Sequence, residues 1–381
     1  MILIVDDEPD LELLIRQRFR QQIREGVYQF AFARQGQEAL TRIRAGGVDL
    51  VLSDINMPVM DGLTLLAHLR ELRPRLGAVI VSAYGDMRNI RAAMNLGAFD
   101  FLTKPIDFHD FEVTVTKTLQ QIEDLRRADT DRERLIAVQR DLQTAAEIQR
   151  SFLPPPFGEG RSDCSLAAAM LPARAVGGDF YDYFFLDDDR LGLVIGDVSG
   201  KGVTAALFMA VSRTLTRTVA LRGCTPAECL AEVNRQLIAQ RDGAATMFVT
   251  LFYGILHLSS GELLYSNGGH LPPFLLRAGA APQTLTGKGR LVGALEDAAY
   301  QTHRLELQPN DIFFLYTDGI TEARNAADEL FTARRLEERL SRADRAAAET
   351  VVRCVLDAVG HFTAGVPQSD DVTALALRYT R

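Results

Sequence analysis

The feature that most limits how this chain can fold is an alternation of short apolar runs and amphipathic stretches over residues 1–117. The apolar runs are Ile2–Val5, Val27–Ala33, Leu50–Leu52, Ala78–Val81 and Ala98–Leu102. The stretches between them space apolar residues three and four positions apart, which is the period of a helix with one buried face. Strands alternating with helices predict a doubly wound, parallel α/β domain, in which ligands bind beyond the carboxyl ends of the strands.

The length and composition exclude several classes of protein. At about 100–200 residues per domain, 381 residues predict two or three domains, and 47% hydrophobic residues suffice for each to bury a core. No apolar run reaches the ~18–20 residues of a membrane span, and the sequence predicts neither a signal peptide nor an anchor. The net charge of −8 argues against nucleic acid as a partner, because phosphate binding needs a basic face. Four cysteines without a CxxC pair predict reduced thiols in a cytoplasmic protein.

The sequence changes character at residues 121–152, where dense mixed charge continues without glycine or proline until Pro154. Leu135, Val138 and Leu142 follow one another at three- and four-residue spacing, which predicts a long helix and a dimeric coiled coil. The alternative is a monomeric helix laid on a neighbouring domain. We therefore expect a first domain at residues 1–120, a helical linker at 121–152 and a last domain at 153–381.

The last domain mixes strand-like and helical segments. The strand-like segments are Leu191–Ile195, Phe248–Leu258, Glu262–Ser266, Ile312–Tyr316 and Val372–Leu377. The helical segments are Ala205–Ala220, Ala227–Ala239 and Ala346–Val359. Strands joined by hairpin-like links, with helices gathered between them, predict an α+β sandwich flanked by helices.

Polar side chains follow four of the predicted strands in the first domain. They are Asp6, Asp7, Asp54, Ser82 and Lys104. Carboxylates at one sheet edge repel one another unless a hard cation such as Mg²⁺ lies between them. Beside a hydroxyl and an ammonium, such a carboxylate can accept a phosphoryl group. The alternative is that loops between strands and helices are polar in any case, with acids at helix N-termini.

The same residues stand in motifs that resemble the receiver domain of two-component response regulators over residues 1–120. The motifs are Ile4-Val5-Asp6-Asp7-Glu8, Ser53-Asp54-Ile55-Asn56-Met57-Pro58, Asp61-Gly62, Ser82-Ala83-Tyr84 and Phe101-Leu102-Thr103-Lys104-Pro105. The resemblance implies a flavodoxin-like fold and an upstream histidine kinase.

The resemblance also implies a role for each residue of this set. Asp54 is the phosphoacceptor. Asp7, Asp54 and the backbone carbonyl of Asn56 bind Mg²⁺, and Asp6 acts on the same ion through water. Ser82 and Lys104 contact the phosphoryl group. Phe101 is the aromatic side chain that rotates inward on activation.

Acids recur at strand ends in the last domain, each beside glycine or a second acid. They are Asp179, Asp197, Asp318 and the pair Asp370-Asp371. A single one of these is typical of a turn. Together, and without a His or Cys cluster, they predict an all-oxygen site for Mg²⁺ or Mn²⁺. Carboxylates around two such cations suit hydrolysis of a phosphate ester by a metal-bound water. His270 is expected to order a loop.

Residues from about 145 to 381 resemble the bacterial branch of the metal-dependent PPM/PP2C-type serine/threonine phosphatases, the stage II sporulation (SpoIIE) and stress-response (RsbU-like) phosphatases that act on partner-switching proteins. The motifs are Ile148-Gln149-Arg150-Ser151-Phe152-Leu153-Pro154, Gly177-Gly178-Asp179-Phe180-Tyr181-Asp182, Gly196-Asp197-Val198-Ser199-Gly200-Lys201-Gly202, Ser266-Asn267-Gly268-Gly269-His270, Thr317-Asp318-Gly319-Ile320-Thr321-Glu322 and Asp370-Asp371-Val372-Thr373.

This second resemblance implies two Mn²⁺ or Mg²⁺ ions. Asp197 bridges both, and the carbonyl of Val198 serves one of them. Asp318 and Asp370 complete the other, with Asp371 the alternative to Asp370, and Asp179 supports the ligands. Arg174 stands where more distant relatives place a phosphate-binding arginine, the alternative being a surface residue.

A receiver joined by a helix to a phosphatase predicts a phosphatase that phosphorylation of Asp54 controls, by activation or by inhibition. The resemblance implies a substrate that carries phosphoserine or phosphothreonine, of the kind of an anti-sigma-factor antagonist. The alternative is a catalytically silent adaptor that binds a sigma or anti-sigma factor. The presence of all four metal-site acids favours the enzyme.

Overall fold

The computed structural model of the chain describes residues 1–83, 85–158, 162–240, 247–285, 287 and 289–381. Tyr84 of the predicted motif therefore lies outside the described residues. The chain divides into two compact units, residues 1–137 and residues 138–381. Among the described helices, none combines the length and the apolar character that crossing a bilayer requires.

The first unit is a doubly wound α/β domain, as predicted. Its strands are β1 (Ile2–Val5), β2 (Phe30–Ala33), β3 (Leu50–Asp54), β4 (Gly77–Ala83) and β5 (Asp100–Lys104). Its helices are α1 (Pro9–Arg18), α2 (Arg20–Arg24), α3 (Gly36–Ala45), α4 (Gly62–Leu72) and α5 (Met87–Asn95). The sheet is parallel, in the order β2-β1-β3-β4-β5. The order reverses between β1 and β3, so the acids after these strands lie at the switch point where such sheets bind ligands.

Helix α6 runs without interruption from Phe108 to Phe152. It begins well before residue 121, because the apolar period of its first turns buries Phe111 and Val115 against the sheet core of the first unit. Leu135 and Val138 in its middle are exposed. The predicted linker is therefore the C-terminal part of a longer helix.

The second unit contains two antiparallel sheets of five strands. One has the order β13-β10-β9-β8-β7 and the other β12-β11-β14-β15-β6. The strands are β6 (Cys164–Leu171), β7 (Phe180–Phe185), β8 (Arg190–Val198), β9 (Val249–His257), β10 (Glu262–Gly268), β11 (Phe274–Leu276), β12 (Gln283–Thr284), β13 (His303–Glu306), β14 (Ile312–Tyr316) and β15 (Val372–Tyr379). The helices are α7 (Val203–Ala220), α8 (Pro226–Ala239), α9 (Asp318–Thr321), α10 (Thr332–Arg342) and α11 (Ala348–Thr363).

Alternating side chains of the strands build a layered core. Phe252 of one sheet packs on Phe313 of the other, with ring centroids 5.7 Å apart. On the outer faces, α7 and α8 cover the first sheet, and α10 and α11 cover the second. The predicted α+β sandwich flanked by helices is confirmed.

Candidate functional site

Three carboxylates and one ammonium meet at the end of the parallel sheet. Asp6 and Asp7 follow β1, Asp54 ends β3, and one oxygen of each lies within 4.8 Å of the others. Lys104, the last residue of β5, places Nζ 2.7 Å from Oδ2 of Asp54 and 3.0 Å from Oδ2 of Asp6. The structure thus brings together the side chains that the sequence placed after three different strands.

Burial and hydrogen bonding shift the pKa values of two groups in this cluster. Burial raises the pKa of Asp6, although hydrogen bonds from the Glu8 amide and from Lys104 oppose the shift. Burial alone would lower the pKa of Lys104, but hydrogen bonds to Asp54, Glu8 and Asp6 raise it, so the side chain remains an ammonium. One ammonium does not neutralise this many carboxylates, and the all-oxygen donor set fits a hard cation such as Mg²⁺.

The other residues predicted for this site surround Asp54 in different ways. Asn56 donates its backbone N–H to Oδ1 of Asp54 at 3.3 Å. Ser82 is buried in the adjacent strand, where its hydroxyl donates to Oδ2 of Asp86 at 3.3 Å. Phe101 in β5 is 37% exposed. The structure therefore places Lys104 in contact with Asp54, Ser82 on the next strand and Phe101 at the surface.

The acids of the second unit gather where strands of both sheets end. Asp179 directly precedes β7, and its Oδ2 accepts hydrogen bonds from the hydroxyls of Thr317 and Thr373, each at 2.7 Å. Thr317 follows β14 and Thr373 lies in β15, so a buried carboxylate beside the first sheet is tied to two strands of the second. These bonds fix Asp179 at the junction of the sheets.

Burial, and after it the repulsion between neighbouring carboxylates, raises the pKa values of Asp179 and the acids around it. Burial and the charges of Asp318 and Asp370 raise the pKa of Asp197 to about 7, against a hydrogen bond with Asp179 that lowers it. Burial and Asp197 raise the pKa of Asp179 well above its ordinary range. Burial, Glu322 and Asp370 raise the pKa of Asp318. Several carboxylates thus share a poorly solvated space, which fits divalent cations with oxygen ligands.

Asp370 and Asp371 are adjacent but have different surroundings. The buried carboxylate of Asp371 accepts the backbone N–H of Ala173 at 2.8 Å and of Gly178 at 2.7 Å. The half-buried Asp370 instead forms an ion pair with Lys201, whose Nζ lies 2.7 Å from Oδ2. Asp371 therefore holds the loop that leads to Asp179, and the geometry favours Asp370 as the metal ligand of the pair.

The backbone in this loop passes close to its neighbours. A Cβ on Gly177 would lie 2.0 Å from Oδ2 of Asp371, and one on Gly319 would lie 1.9 Å from the Asp371 carbonyl oxygen, so both positions require glycine. Gln149, buried near the end of α6, donates Nε2 to the Gly177 carbonyl at 2.7 Å and accepts the Gly177 N–H at 3.1 Å. Helix α6 thereby holds the backbone two residues before Asp179.

Three further predicted residues lie at the rim or behind the acids. Arg174 is exposed in the loop between β6 and Asp179. Val198 ends β8, and its carbonyl oxygen would lie 2.9 Å from a Cβ on Gly178. His270 is buried with Nδ1 2.9 Å from the Thr250 hydroxyl, in a loop that the neighbouring Asn267 side chain also bonds.

Sequence reasoning did not single out Lys201, Gln149, Thr317 or Thr373. Each lies within one of the quoted motifs, so the available signal was its position within a motif. The contact of each residue depends on a distant part of the chain, and the sequence does not reveal it.

The two clusters differ in spacing. Within the described ranges, the His, Cys, Asp and Glu side chains that bring three ligand atoms within 4.8 Å of one another are Asp6, Asp7 and Asp54. Among the described residues, the acids of the second unit do not bring three ligand atoms this close together.

Comparisons with known proteins divide the chain in the same way. The family model of the response regulator receiver domain matches residues 2–116, and that of stage II sporulation protein E (SpoIIE) matches residues 187–380. The chain is 33% identical over 262 residues to protein IcfG of Synechocystis, which covers 62% of this chain and 41% of IcfG. It is 28% identical over 188 residues to phosphoserine phosphatase RsbU of Bacillus subtilis, covering 49% of this chain and 55% of RsbU. The chain thus spans about half the length of these curated relatives.

Two solved structures are similar to the second unit. The RsbU and RsbW domains of a Mycobacterium tuberculosis protein align with a TM-score of 0.50 at 30% identity, covering 60% of this chain and 62% of that one. The SiaA-PP2C domain of Pseudomonas aeruginosa aligns with a TM-score of 0.57 at 23% identity, covering 64% of this chain and 98% of that one, which shows a common fold. On these matches, the chain belongs to the stage II sporulation protein E (SpoIIE) family, with a PP2C-type domain that follows a response regulator receiver domain.

Proposed function

We propose that this protein is a response regulator in which phosphorylation of Asp54 controls a metal-dependent protein serine/threonine phosphatase. The observation that carries the proposal is the gathering of Asp179, Asp197, Asp318 and Asp370, where burial and neighbouring charges raise the pKa of Asp197 to about 7, because divalent cations with oxygen ligands would neutralise such a group. The relative RsbU is named a phosphoserine phosphatase, which supports the reaction class.

Two Mn²⁺ or Mg²⁺ ions would be held by Asp197, the carbonyl of Val198, Asp318 and Asp370. When bound, they supply an acidified water and neutralise phosphate oxygens. Asp179 positions Asp197 through their hydrogen bond, and its own bonds to two threonines keep it from turning away.

The loop before Asp179 would bind the phosphate. Arg174 is exposed there, and a guanidinium matches the geometry of two phosphate oxygens. Asp371 holds this loop by two short bonds to its amides, so the loop presents Arg174 from a fixed backbone. Substitution of Arg174 is therefore expected to raise KM more than it lowers kcat.

In the receiver, Asp54 is the phosphoacceptor for an upstream histidine kinase. Mg²⁺ would be held by Asp7, Asp54 and the carbonyl of Asn56, with Asp6 beside them. Lys104, already in contact with Asp54, would neutralise the incoming phosphoryl group. The resemblance to receiver domains gives roles to two further residues. The hydroxyl of Ser82 would bond the phosphoryl group, and the ring of Phe101 would turn inward on activation.

Helix α6 is the element that would carry the signal. It begins in the receiver, and near its C-terminal end Gln149 bonds the backbone N–H and carbonyl of Gly177. A shift of the helix would move Gly177, and with it the segment that leads to Asp179. Two sites joined by a contact are not yet coupled, so the link needs a direct test.

The resemblance to partner-switching phosphatases supports a substrate and a location, and helix α6 supports an oligomeric state. The substrate is a phosphorylated protein similar to an anti-sigma-factor antagonist, and the protein acts in the cytoplasm without nucleic acid. The exposed apolar residues Leu135 and Val138 of α6 favour a homodimer through this helix.

Catalysis is tested by Mn²⁺-dependent hydrolysis of p-nitrophenyl phosphate by the full chain. Asp197→Ala is expected to abolish the metal-dependent rate, whereas Asp297→Asn, at an exposed acid, is expected to leave it unchanged. Equal background rates in the wild type and Asp197→Ala would instead favour the silent adaptor.

Coupling is tested by comparing rates with and without an acyl-phosphate donor. The wild type is expected to change its rate, in either direction, and Asp54→Asn is expected not to. Gln149→Ala is expected to reduce the response, while Gln143→Ala, an exposed glutamine of the same helix, serves as its control. A Gln149→Ala variant with the full response would exclude this path through α6.

A further inference from the structure

Two cysteines meet at the start of α8. The helix begins with a capping box, in which the Thr225 side chain bonds the Glu228 amide and Glu228 bonds the Thr225 amide. Cys224 lies just before the cap and Cys229 lies at the fourth helical position. In capped helices, side chains at these two positions pack on each other as a hydrophobic staple. Here both staple residues are thiols.

Both sulfur atoms lie against the last turns of α7. The Cys224 thiol donates to the Val219 carbonyl at 3.5 Å, and the Cys229 thiol donates to the Thr216 carbonyl at 3.7 Å. Thr216 and Val219 are one helical turn apart, and both cysteines pack in the same apolar cluster, so the two side chains are neighbours. Cys229 is buried and Cys224 is half-buried, so one thiol of the pair is accessible from solvent.

The surroundings add a second observation. The buried hydroxyl of Tyr253 has no hydrogen-bond partner among the described residues. Tyr253 belongs to the same apolar cluster as Cys229 and Cys224, and burial and the two cysteines raise its pKa. A polar group is thus available to a sulfur or oxygen atom that changes charge during a reaction of the pair.

We propose that Cys224 and Cys229 are a modification site, at which a hydroperoxide forms a reversible intramolecular disulfide. The Cys224 sulfur attacks the peroxide, so that an S–O bond forms, the O–O bond breaks and the departing oxygen leaves as water, or as an alcohol from an organic peroxide. The Cys229 sulfur then attacks the sulfenic acid, the S–O bond breaks, and water leaves with the Cys229 proton. Two thiols are oxidised by two electrons, and one peroxide is reduced.

The order of attack follows from exposure and charge. The neighbouring Cys229 lowers the pKa of Cys224 to about 7, whereas the neighbouring Cys224 and burial raise the pKa of Cys229. The half-buried Cys224 therefore ionises more readily and attacks first, and the buried Cys229 is the resolving thiol. The other cysteines, Cys164 and Cys354, serve as internal controls.

The test treats the full chain with hydrogen peroxide, blocks remaining thiols with iodoacetamide and maps tryptic peptides by mass. Because Arg222 and Arg235 flank the pair, one peptide, residues 223–235, contains both cysteines. We expect the mass of this peptide to fall by two hydrogens and its two cysteines to become resistant to alkylation. This oxidation is expected to be about tenfold faster than that of Cys354, and dithiothreitol should reverse it.

Variants separate the two steps. Cys229→Ser is expected to accumulate a dimedone-reactive sulfenic acid at Cys224, and Cys224→Ser to stop oxidation at residue 229. If Cys229→Ser does not fold, the wild-type peptide map still decides the question. Alkylation of both Cys224 and Cys229 after peroxide treatment that oxidises Cys354 would overturn the proposal.

Discussion

Replacing Asp370 and Asp371 one at a time by asparagine separates a residue of the chemistry from a residue of the fold. In the wild type, the two oxygens of Asp371 accept the N–H of Ala173 at 2.8 Å and of Gly178 at 2.7 Å. In Asp371→Asn, one of these N–H groups faces the NH₂ group of the amide, whichever way the amide is turned. In Asp370→Asn the change removes a half-exposed ion pair with Lys201.

The two changes differ in expected cost. A hydrogen bond to a charged acceptor contributes about 1.5–3 kcal/mol, so Asp371→Asn, with one bond lost and one weakened, is expected to lower the free energy of unfolding by about 3 kcal/mol. An exposed ion pair contributes about 0–1 kcal/mol, so Asp370→Asn is expected to change stability little. For a unit of this size, these costs correspond to Tm shifts of about 6–12 °C for Asp371→Asn and at most about 4 °C for Asp370→Asn.

The assay combines thermal unfolding in a chelator with Mn²⁺-dependent hydrolysis. Asp370→Asn is expected to lose about 100-fold or more in kcat at nearly unchanged Tm, because it would remove a proposed metal ligand. Asp371→Asn is expected to lose Tm and, at low temperature, to retain more of its activity than Asp370→Asn. The opposite result, with Asp371→Asn stable but inactive and Asp370→Asn active, would refute the assignment.

Three further changes test other parts of the second unit. Asp182→Asn leaves two arginines of α7 without their buried partner and is expected to cost about 3–5 kcal/mol in urea unfolding, whereas Glu262→Gln, in an exposed pair, is expected to cost little. Burial lowers the pKa of His270 to about 4, from about 6.5 in an unfolded chain. The folded state therefore keeps this side chain neutral, and the stability that this contributes is fully present above pH 6.5 and is lost as the pH falls to 4. The expected loss is about 3 kcal/mol, and urea unfolding of His270→Gln should lack this part of the pH dependence. Lys201→Met removes a cation that competes for Asp370, so calorimetry is expected to show a Mn²⁺ dissociation constant lower by about fivefold, and weaker binding would contradict this role.

The fold could largely be predicted from periodicity, and the elements that were missed show why the rest could not. Strand β6 contains three consecutive alanines, which have low strand propensity, so no local signal marks it. It is a strand because all eight of its residues pair with β15, about 200 residues later in the chain. The linker was placed at residues 121–152 because the charge density changes there, and helix α6 continues through residue 121, since the charge of exposed positions does not end a helix.

The acids of both sites could be predicted because strand ends bring carboxylates together whatever the loops do. Their division of labour could not be predicted, since Asp370 and Asp371 have the same side chain and differ only in what the loop at Ala173 and Gly178 places beside them. The thiol pair was missed for a similar reason. A spacing of five residues has no meaning until a capping box turns Cys224 back onto Cys229.

The repulsion between carboxylates is offset differently in the two acidic clusters, and the difference matches the functions proposed for them. In the receiver, the Lys104 ammonium contacts both Asp54 and Asp6, so one fixed cation offsets part of the negative charge of the cluster. In the second unit, burial and neighbouring acids raise the pKa of Asp197 to about 7, and the threonine hydroxyls that bond the neighbouring Asp179 are neutral. Bound cations would lower this pKa, so metal binding near neutral pH is expected to release protons. A site that receives phosphate can rely on a fixed lysine, whereas one that hydrolyses a phosphate ester needs cations that also activate water.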